Sequence, residues 1–408
     1  MEDLKTYKLG DLVSIQSGGT PNKAIASYWG GNIPWISAKT MYVDFITDSD
    51  LYITEEGLKN GSKLAPVGSI LLLTRGGGLF NRIPVCMVNN EVAYNQDIKC
   101  ITVKENSFTS NLFIFYWLYS HKELLSGILE TTGIGAGKID TSRLLDIDVH
   151  LPDLETQHRY IQICSSILEK IEVNKRINDN LEQQIQTLYR ERFIDNPKTE
   201  WATIALSEVA TFVGGYSYKG NELVDSSETA MATIKNFERN GGFKLDGYKP
   251  VSPSSKLKEE QHAELFDILI AHTDLTQNAE VIGNAEIILS KDSYSDVIFS
   301  MDLVKVVAKE SFPYQFLLAL LLKNSVFKSH CIGYVNGTTV LHMNKRALPD
   351  FNTQIPTCED AARMNEIATS IFTKMSENLS EIANLTKLPD SLLPKLMSGE
   401  LKINEIDC

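Results

Sequence analysis

No apolar run in this 408-residue chain is long enough to cross a membrane. The longest, Phe316 to Leu322, falls far short of the ~20 residues a bilayer requires. Met1 to Tyr7 is polar and has no apolar core of a secretion signal, so the expected location is the cytoplasm. The six cysteines, Cys86, Cys100, Cys164, Cys331, Cys358 and Cys408, form no C-x-x-C pair, and none stands at metal-ligand spacing with a histidine. Free thiols in a reducing compartment are expected. Positive charge is scarce as well: 39 Lys and Arg face 52 Asp and Glu, for a net charge of −13. DNA binding is driven largely by Lys and Arg meeting phosphates. This balance weighs against a nucleic-acid partner unless the cations gather on one face or partner subunits supply the rest.

Catalytic signatures are missing too. Gly133-Ile134-Gly135-Ala136-Gly137-Lys138-Ile139 looks at first like a phosphate loop. A P-loop needs four residues between its glycines and Ser or Thr after the lysine; here three intervene and Ile139 follows. Asn32-Ile33-Pro34-Trp35 has part of the Asn-Pro-Pro-aromatic motif that amino-methyltransferases use on a flipped base. Its second residue is wrong, and no G-x-G-x-x-G loop accompanies it. The histidines, His121, His150, His158, His262, His272, His330 and His342, show no metal-ligand spacing. No G-x-S-x-G nucleophile elbow is present.

What is present is ordinary globular composition, 43% hydrophobic and 22% charged, in a chain long enough for two or three domains. It also repeats itself. Leu9-Gly10-Asp11-Leu12-Val13 with Ser17-Gly18-Gly19 is echoed by Leu206-Ser207-Glu208-Val209-Ala210 with Gly214-Gly215. Lys138 to Leu144 leads to Leu151-Pro152, as Met343 to Leu348 leads to Ile355-Pro356. Each proline is followed by a helical stretch. Short apolar runs, Ser69–Thr74 and Asp267–Ala271, have strand character. Asn111–Leu125 and Pro313–Lys328 have helical length.

Two longer helices stand out. Leu154 to Phe193 contains neither proline nor glycine. Its apolar residues recur at Ile161, Cys164, Leu168, Ile171, Ile177, Leu181, Ile185 and Leu188, with a polar break at Asn174-Lys175. The second runs from about Glu359 to Lys387 on a stripe of Met364, Ala368, Ile371, Met375, Leu379, Ile382 and Leu385, and Pro389 is expected to close it. Each stripe must be buried. Packing the helices on each other as an antiparallel pair is the economical solution; packing each on its own domain is the alternative. The expected fold is α+β: two similar mixed α/β domains, residues 1–152 and 197–356, with helical segments 153–196 and 357–408, in a pseudo-twofold repeat.

These features resemble the specificity subunits of type I restriction–modification systems. Ser17-Gly18-Gly19-Thr20-Pro21, with Tyr28-Trp29-Gly30-Gly31-Asn32-Ile33-Pro34-Trp35-Ile36, is similar to the opening of their target-recognition domains. Asn95-Gln96-Asp97-Ile98 resembles the core of the same domain. In the second half so do Asp267 to Ala271 and Thr273 to Gln277. Thr187 to Asp195 is similar to the close of the central conserved region, and Leu392 to Leu401 to the family's ending. The second domain lacks the Trp-Gly-Gly…Pro-Trp pattern, so the two domains are expected to read different sequences. The resemblance implies that each domain reads half of a bipartite double-stranded DNA site. The helices would then act as a ruler and dock two methyltransferase subunits. It also implies that S-adenosylmethionine, ATP and magnesium belong to partners, restriction subunits among them, and that no reaction is catalysed here. An enzyme with its own methyltransferase or nuclease activity, and a helical scaffold without a DNA role, stay open as alternatives.

Base edges are read by Arg or Lys on guanine, Asn or Gln on adenine, and Thr on either. In the first domain Lys39, Thr74, Arg75, Arg82 and Lys138 are the candidate DNA-binding residues, with Thr74 to Gly78 as the best loop. The candidates in the second are Lys235, Asn236, Arg239, Thr276, Gln277, Asn278, Asn336, Thr338, Lys345 and Arg346. Asn95 and Gln96 fit a different task, satisfying buried backbone.

Overall fold

The computed structural model describes residues 4–397 apart from 81, 105–107, 134, 277 and 339. It divides into two compact units, residues 1–170 with 385–408, and residues 171–384.

In the first unit, strand Lys5–Lys8 pairs antiparallel with Asp148–Leu151. The one-turn helix Leu9–Leu12 follows and buries Leu9 and Leu12. Strand Val13–Ser17 then enters a five-stranded sheet. At the sheet's centre, Ile70–Leu73 lies between Ile98–Val103 and Val85–Val88. All four of its residues are buried, as expected for a continuous apolar strand covered on both faces. In the second unit the same order recurs: Ala202–Ala205 pairs with Asn352–Ile355. The turn Leu206–Val209 leads to strand Ala210–Gly214. The buried strand Ile268–Ala271 sits between Leu303–Ala308 and Ala285–Ile287. Both sequence echoes are therefore structural: one is the entry turn, the other the strand that closes the domain.

Each unit also holds a parallel pair, Trp29–Ile36 with Val92–Tyr94 in the first and Thr229–Ala232 with Asp296–Phe299 in the second. Each has a small three-stranded sheet as well. In the first it joins Leu129–Thr131, Gly137–Ile139 and Arg75–Gly76; in the second, Val335–Asn336, Leu341–Met343 and Thr273–Asp274. Gly133 and Gly135 thus lie between the paired strands Leu129–Thr131 and Gly137–Ile139 of the first of these sheets.

The two shorter helical stretches each break in two. Asn111–Ser120 stops at His121, whose Nδ1 lies 2.8 Å from the carbonyl of Trp117 and whose ring stacks on that tryptophan. Gln315–Leu322 stops before Asn324, whose side chain accepts from the N–H groups of Val326 and Phe327 and so starts Ser325–Ile332. Asparagine is a strong N-cap, and that preference outweighs helix continuity here.

The central helix spans Leu154–Tyr189 and passes into a wide π-type turn, Arg190–Asp195. Tyr189, Phe193 and Trp201 stack in series across that turn, at 5.2 and 5.1 Å. The second long helix spans Cys358–Met397 and runs through Pro389 instead of ending there. A proline's own φ is helical, and its cost is one lost hydrogen bond and crowding at the carbonyl four residues back. The second stripe also shifts: Phe372, not Ile371, is buried, alongside Met364, Ala368 and Met375.

The polar break in the central helix belongs to its buried face. Asn174 and Asn178 are buried, whereas Ile177 is exposed. Asn174 Nδ2 donates to Glu381 at 2.8 Å, Asn178 Nδ2 to the carbonyl of Met375 at 3.1 Å, and Asn378 Nδ2 to Asn178 Oδ1 at 2.8 Å. Further along, Lys198 meets Asp360 at 2.7 Å. As residue numbers rise on one side they fall on the other, so here the helices lie side by side in opposite directions. Among the described residues, no helix is long and apolar enough to cross a membrane.

Candidate nucleic-acid interface

Three hydrogen bonds build the same rim at the edge of each domain. In the first, the N–H of Asn95 donates to Ile36 O at 3.0 Å, Thr74 N–H to Asp97 O at 2.8 Å, and Ile139 N–H to Thr74 O at 2.9 Å. In the second, Ser300 donates to Ala232 at 2.9 Å, His272 to Asp302 at 2.8 Å, and Met343 to His272 at 2.9 Å. A glycine is pinched against each rim. A Cβ on Gly18 would stand 2.2 Å from Tyr94 O, and one on Gly215 2.0 Å from Ser300 O. Only glycine lets the backbones approach this closely.

This one-to-one match aligns the two rims residue by residue. Arg75 corresponds to Thr273, Lys138 to His342, and Lys99 to Val304. Arg75 and Lys138 are direct cross-strand partners. Burial lowers the pKa of Lys99, and the charges of Arg75 and Lys138 push the same way against Asp97. Lys99 donates to Ser17 Oγ at 2.5 Å, and Lys138 stands 3.3 Å from Asp140. The first rim therefore concentrates three cations within an acidic chain. Composition could not reveal that cluster, since only the fold brings strands Arg75–Gly76, Ile98–Val103 and Gly137–Ile139 together.

The other first-domain candidates lie nearby in the chain of contacts. Lys39 is exposed on the turn Ala38–Thr40 that follows strand Trp29–Ile36. Arg82 lies 5.8 Å from the ring of exposed Tyr42. Thr74 leaves the set. It is buried, and its Oγ1 donates to Asp97 O at 3.0 Å, so it holds the rim together and has no free hydroxyl. Asn95 likewise serves the backbone, accepting from Asp97 N–H at 3.0 Å.

On the second rim, Thr273 donates to Asp302 at 2.9 Å. His272 is lowered by burial and by the neighbouring His342 and Lys345. Asn236 leaves the set, because it is fully buried, donating to Lys244 O at 2.7 Å and accepting from Thr233 N–H at 2.9 Å. Thr276 also turns inward: its Oγ1 is buried without a hydrogen-bond partner, and its N–H is held by Asp274. Arg239 is exposed but paired with Glu280 at 3.1 Å. Lys235, Asn278, Asn336, Thr338, Lys345 and Arg346 are exposed, and Asn336 donates to Tyr334 O at 3.3 Å. Gln277 lies outside the described residues. Lys99 and the pair His272 and His342 were missed from the sequence. Lys99 carried one signal, a lone cation alternating with Ile98 and Cys100 in an apolar strand.

A duplicated α/β domain, with a matched rim in each copy and two long helices, defines a class of protein that presents two related but chemically different surfaces. Comparison with known proteins narrows the class. Residues 1–183 match the family described as type I restriction modification DNA specificity domain. The chain is 24% identical to the type I restriction enzyme MjaIX specificity subunit of Methanocaldococcus jannaschii, over 99% of this chain and 95% of that one. It is 29% identical to the type I restriction enzyme EcoR124I/EcoR124II specificity subunit of Escherichia coli, over 47% of this chain and 48% of that one. The S subunit of a type I restriction–modification system from M. genitalium shares the fold, with a TM-score of 0.52 at 14% identity, over 97% of this chain and 96% of that one. Residues 1–183 thus match a type I restriction modification DNA specificity domain, and along nearly its whole length the chain is similar to a type I restriction enzyme specificity subunit.

Proposed function

We propose that this subunit reads a bipartite double-stranded DNA site, one half with domain 1–152 and the other with domain 197–356. The observation that carries the reading is the cation cluster Arg75, Lys99 and Lys138 on a chain whose net charge is −13. Cations gathered at a domain edge suit phosphate and guanine contacts. The helical segments 153–196 and 357–408 set the spacing and dock two methyltransferase subunits, and restriction subunits join that complex. S-adenosylmethionine, ATP and magnesium are held by the partners.

The test is sequencing of methylated sites after co-expression with the methyltransferase. Arg75→Ala should degrade recognition of one half-site and leave the other intact; equal damage to both counts against the assignment. The ruler is tested separately. Because the helices lie side by side in opposite directions, an insertion in one needs a matching insertion in the other. Four residues after Lys170 and four after Asn384 lengthen the pair by roughly 6 Å and nearly preserve the buried face. The gap between half-sites should then grow by about one to two base pairs, at ~3.4 Å each. Unchanged spacing at full activity would exclude the helices as the ruler.

A further inference from the structure

The matched rims separate positions that the two domains share from positions where they differ. Three rim positions differ: exposed Arg75 against buried Thr273, half-buried Lys99 against half-buried Val304, and half-buried Lys138 against exposed His342. One cation is shared. Ser37-Ala38-Lys39-Thr40 and Thr233-Ile234-Lys235-Asn236 form the same short turn after the equivalent strand. In the first, Ser37 N–H donates to Thr40 Oγ1 at 3.0 Å, and in the second Thr233 N–H donates to Asn236 Oδ1 at 2.9 Å. Thr40 N–H closes on Ser37 O at 3.0 Å, and Asn236 N–H on Thr233 O at 3.0 Å. Both turns hang from the rim through the backbone bonds of Ile36 with Asn95 and Ala232 with Ser300. Each thus holds its lysine exposed at the same place relative to the rim. Neither lysine meets a carboxylate among the described residues. Lys235 instead faces another cation, Lys249, whose pKa is lowered by burial and then by Lys235.

We propose that Lys39 and Lys235 are twin phosphate anchors, one per half-site, which fix the register of each domain on DNA and carry no sequence preference. The inference rests on the DNA-reading function above. Two domains that read different bases have no reason to share a base-reading side chain. They share the phosphate backbone, which is the same in every sequence. A lysine is a point charge on a flexible stem, suited to a phosphate, and both turns brace their backbone so that the stem starts from a fixed place.

The test uses the assembled complex with its methyltransferase partner, titrated with duplexes carrying the intact site, an altered first half or an altered second half, at several salt concentrations. Lys39→Gln and Lys235→Gln should each weaken binding to all three duplexes by the same factor. Each should reduce the steepness of the log affinity against log salt plot by about one, and the double variant by about two. Lys39→Arg and Lys235→Arg should restore binding, and the methylated sequence should not change in any variant. Unchanged affinity and slope, or a base preference altered in one half-site by either variant, would overturn the proposal. A wild-type complex that fails to distinguish the three duplexes would overturn the DNA-reading function itself, and this inference with it.

Discussion

The two domains share a scaffold and differ in the side chains they carry on it. Three backbone hydrogen bonds and a pinched glycine recur in each, within about 0.1 Å for the bonds. On that common frame the first domain carries Arg75, Lys99 and Lys138, and the second a buried Thr273, with Val304 and His342. The difference teaches that holding the rim and decorating it are separate tasks for the sequence. It also shows how a chain of net charge −13 can offer a local cationic cluster: Arg75, Lys99 and Lys138 gather on one rim.

Four experiments break or sharpen that comparison. The largest effect is expected from giving the first rim the second rim's side chains, Arg75→Thr with Lys99→Val and Lys138→His. At about 1–3 kcal/mol per lost contact, recognition of one half-site should vanish while methylation-site sequencing still finds the other. An unaltered pair of half-sites would show that these positions do not read DNA.

The domains also differ in how they hold their helix. In the first unit Tyr116 Oη lies 2.7 Å from Ser165 Oγ; in the second, buried Lys323 meets Glu182 at 2.9 Å and Glu286 at 2.6 Å. Burial alone would lower Lys323, but the two carboxylates outweigh it and raise its pKa. Lys323→Ala leaves Glu286 buried without its cation and should cost about 3–5 kcal/mol in denaturant unfolding of the second unit. Replacing all three residues by apolar ones should recover most of that loss. An equal effect on the first unit's transition would contradict the division into units.

A smaller loss, about 1–3 kcal/mol, is expected from Gly18→Ala or Gly215→Ala, since each added Cβ meets a carbonyl. Half-site binding should fall only for the domain carrying the change. Thr74→Val should have the smallest effect, about 1 kcal/mol of stability, with the methylated sequence unchanged. A changed sequence would return Thr74 to the reading surface.

Much of the scaffold was legible in the sequence because it depends on local pattern. The entry turns, the buried strands at 70–73 and 268–271, and both long helices follow from periodicity and from an internal echo. Three features did not. Asn174-Lys175 read as a break because polarity suggests exposure; the partner of Asn174, Glu381, is far away in the chain. Thr74 and Asn236 read as DNA contacts because their donors and acceptors suit bases, but the fold spends those groups on its own backbone. Lys99 was invisible as a partner of Arg75 and Lys138 until three strands placed them together. In each case the side chain was visible and its neighbour was not.

Asn178 and Asn378 are 200 positions apart. During synthesis, at about 5–20 residues per second, the central helix therefore leaves the ribosome some 10–40 s before its companion. Over that interval its amide-bearing face has no mate, and Ile185 and Tyr189, buried in the finished fold, lie open to other chains. The order of emergence makes the nascent chain most vulnerable at mid-length, and a translational pause between residues 190 and 358 would lengthen its exposure to aggregation.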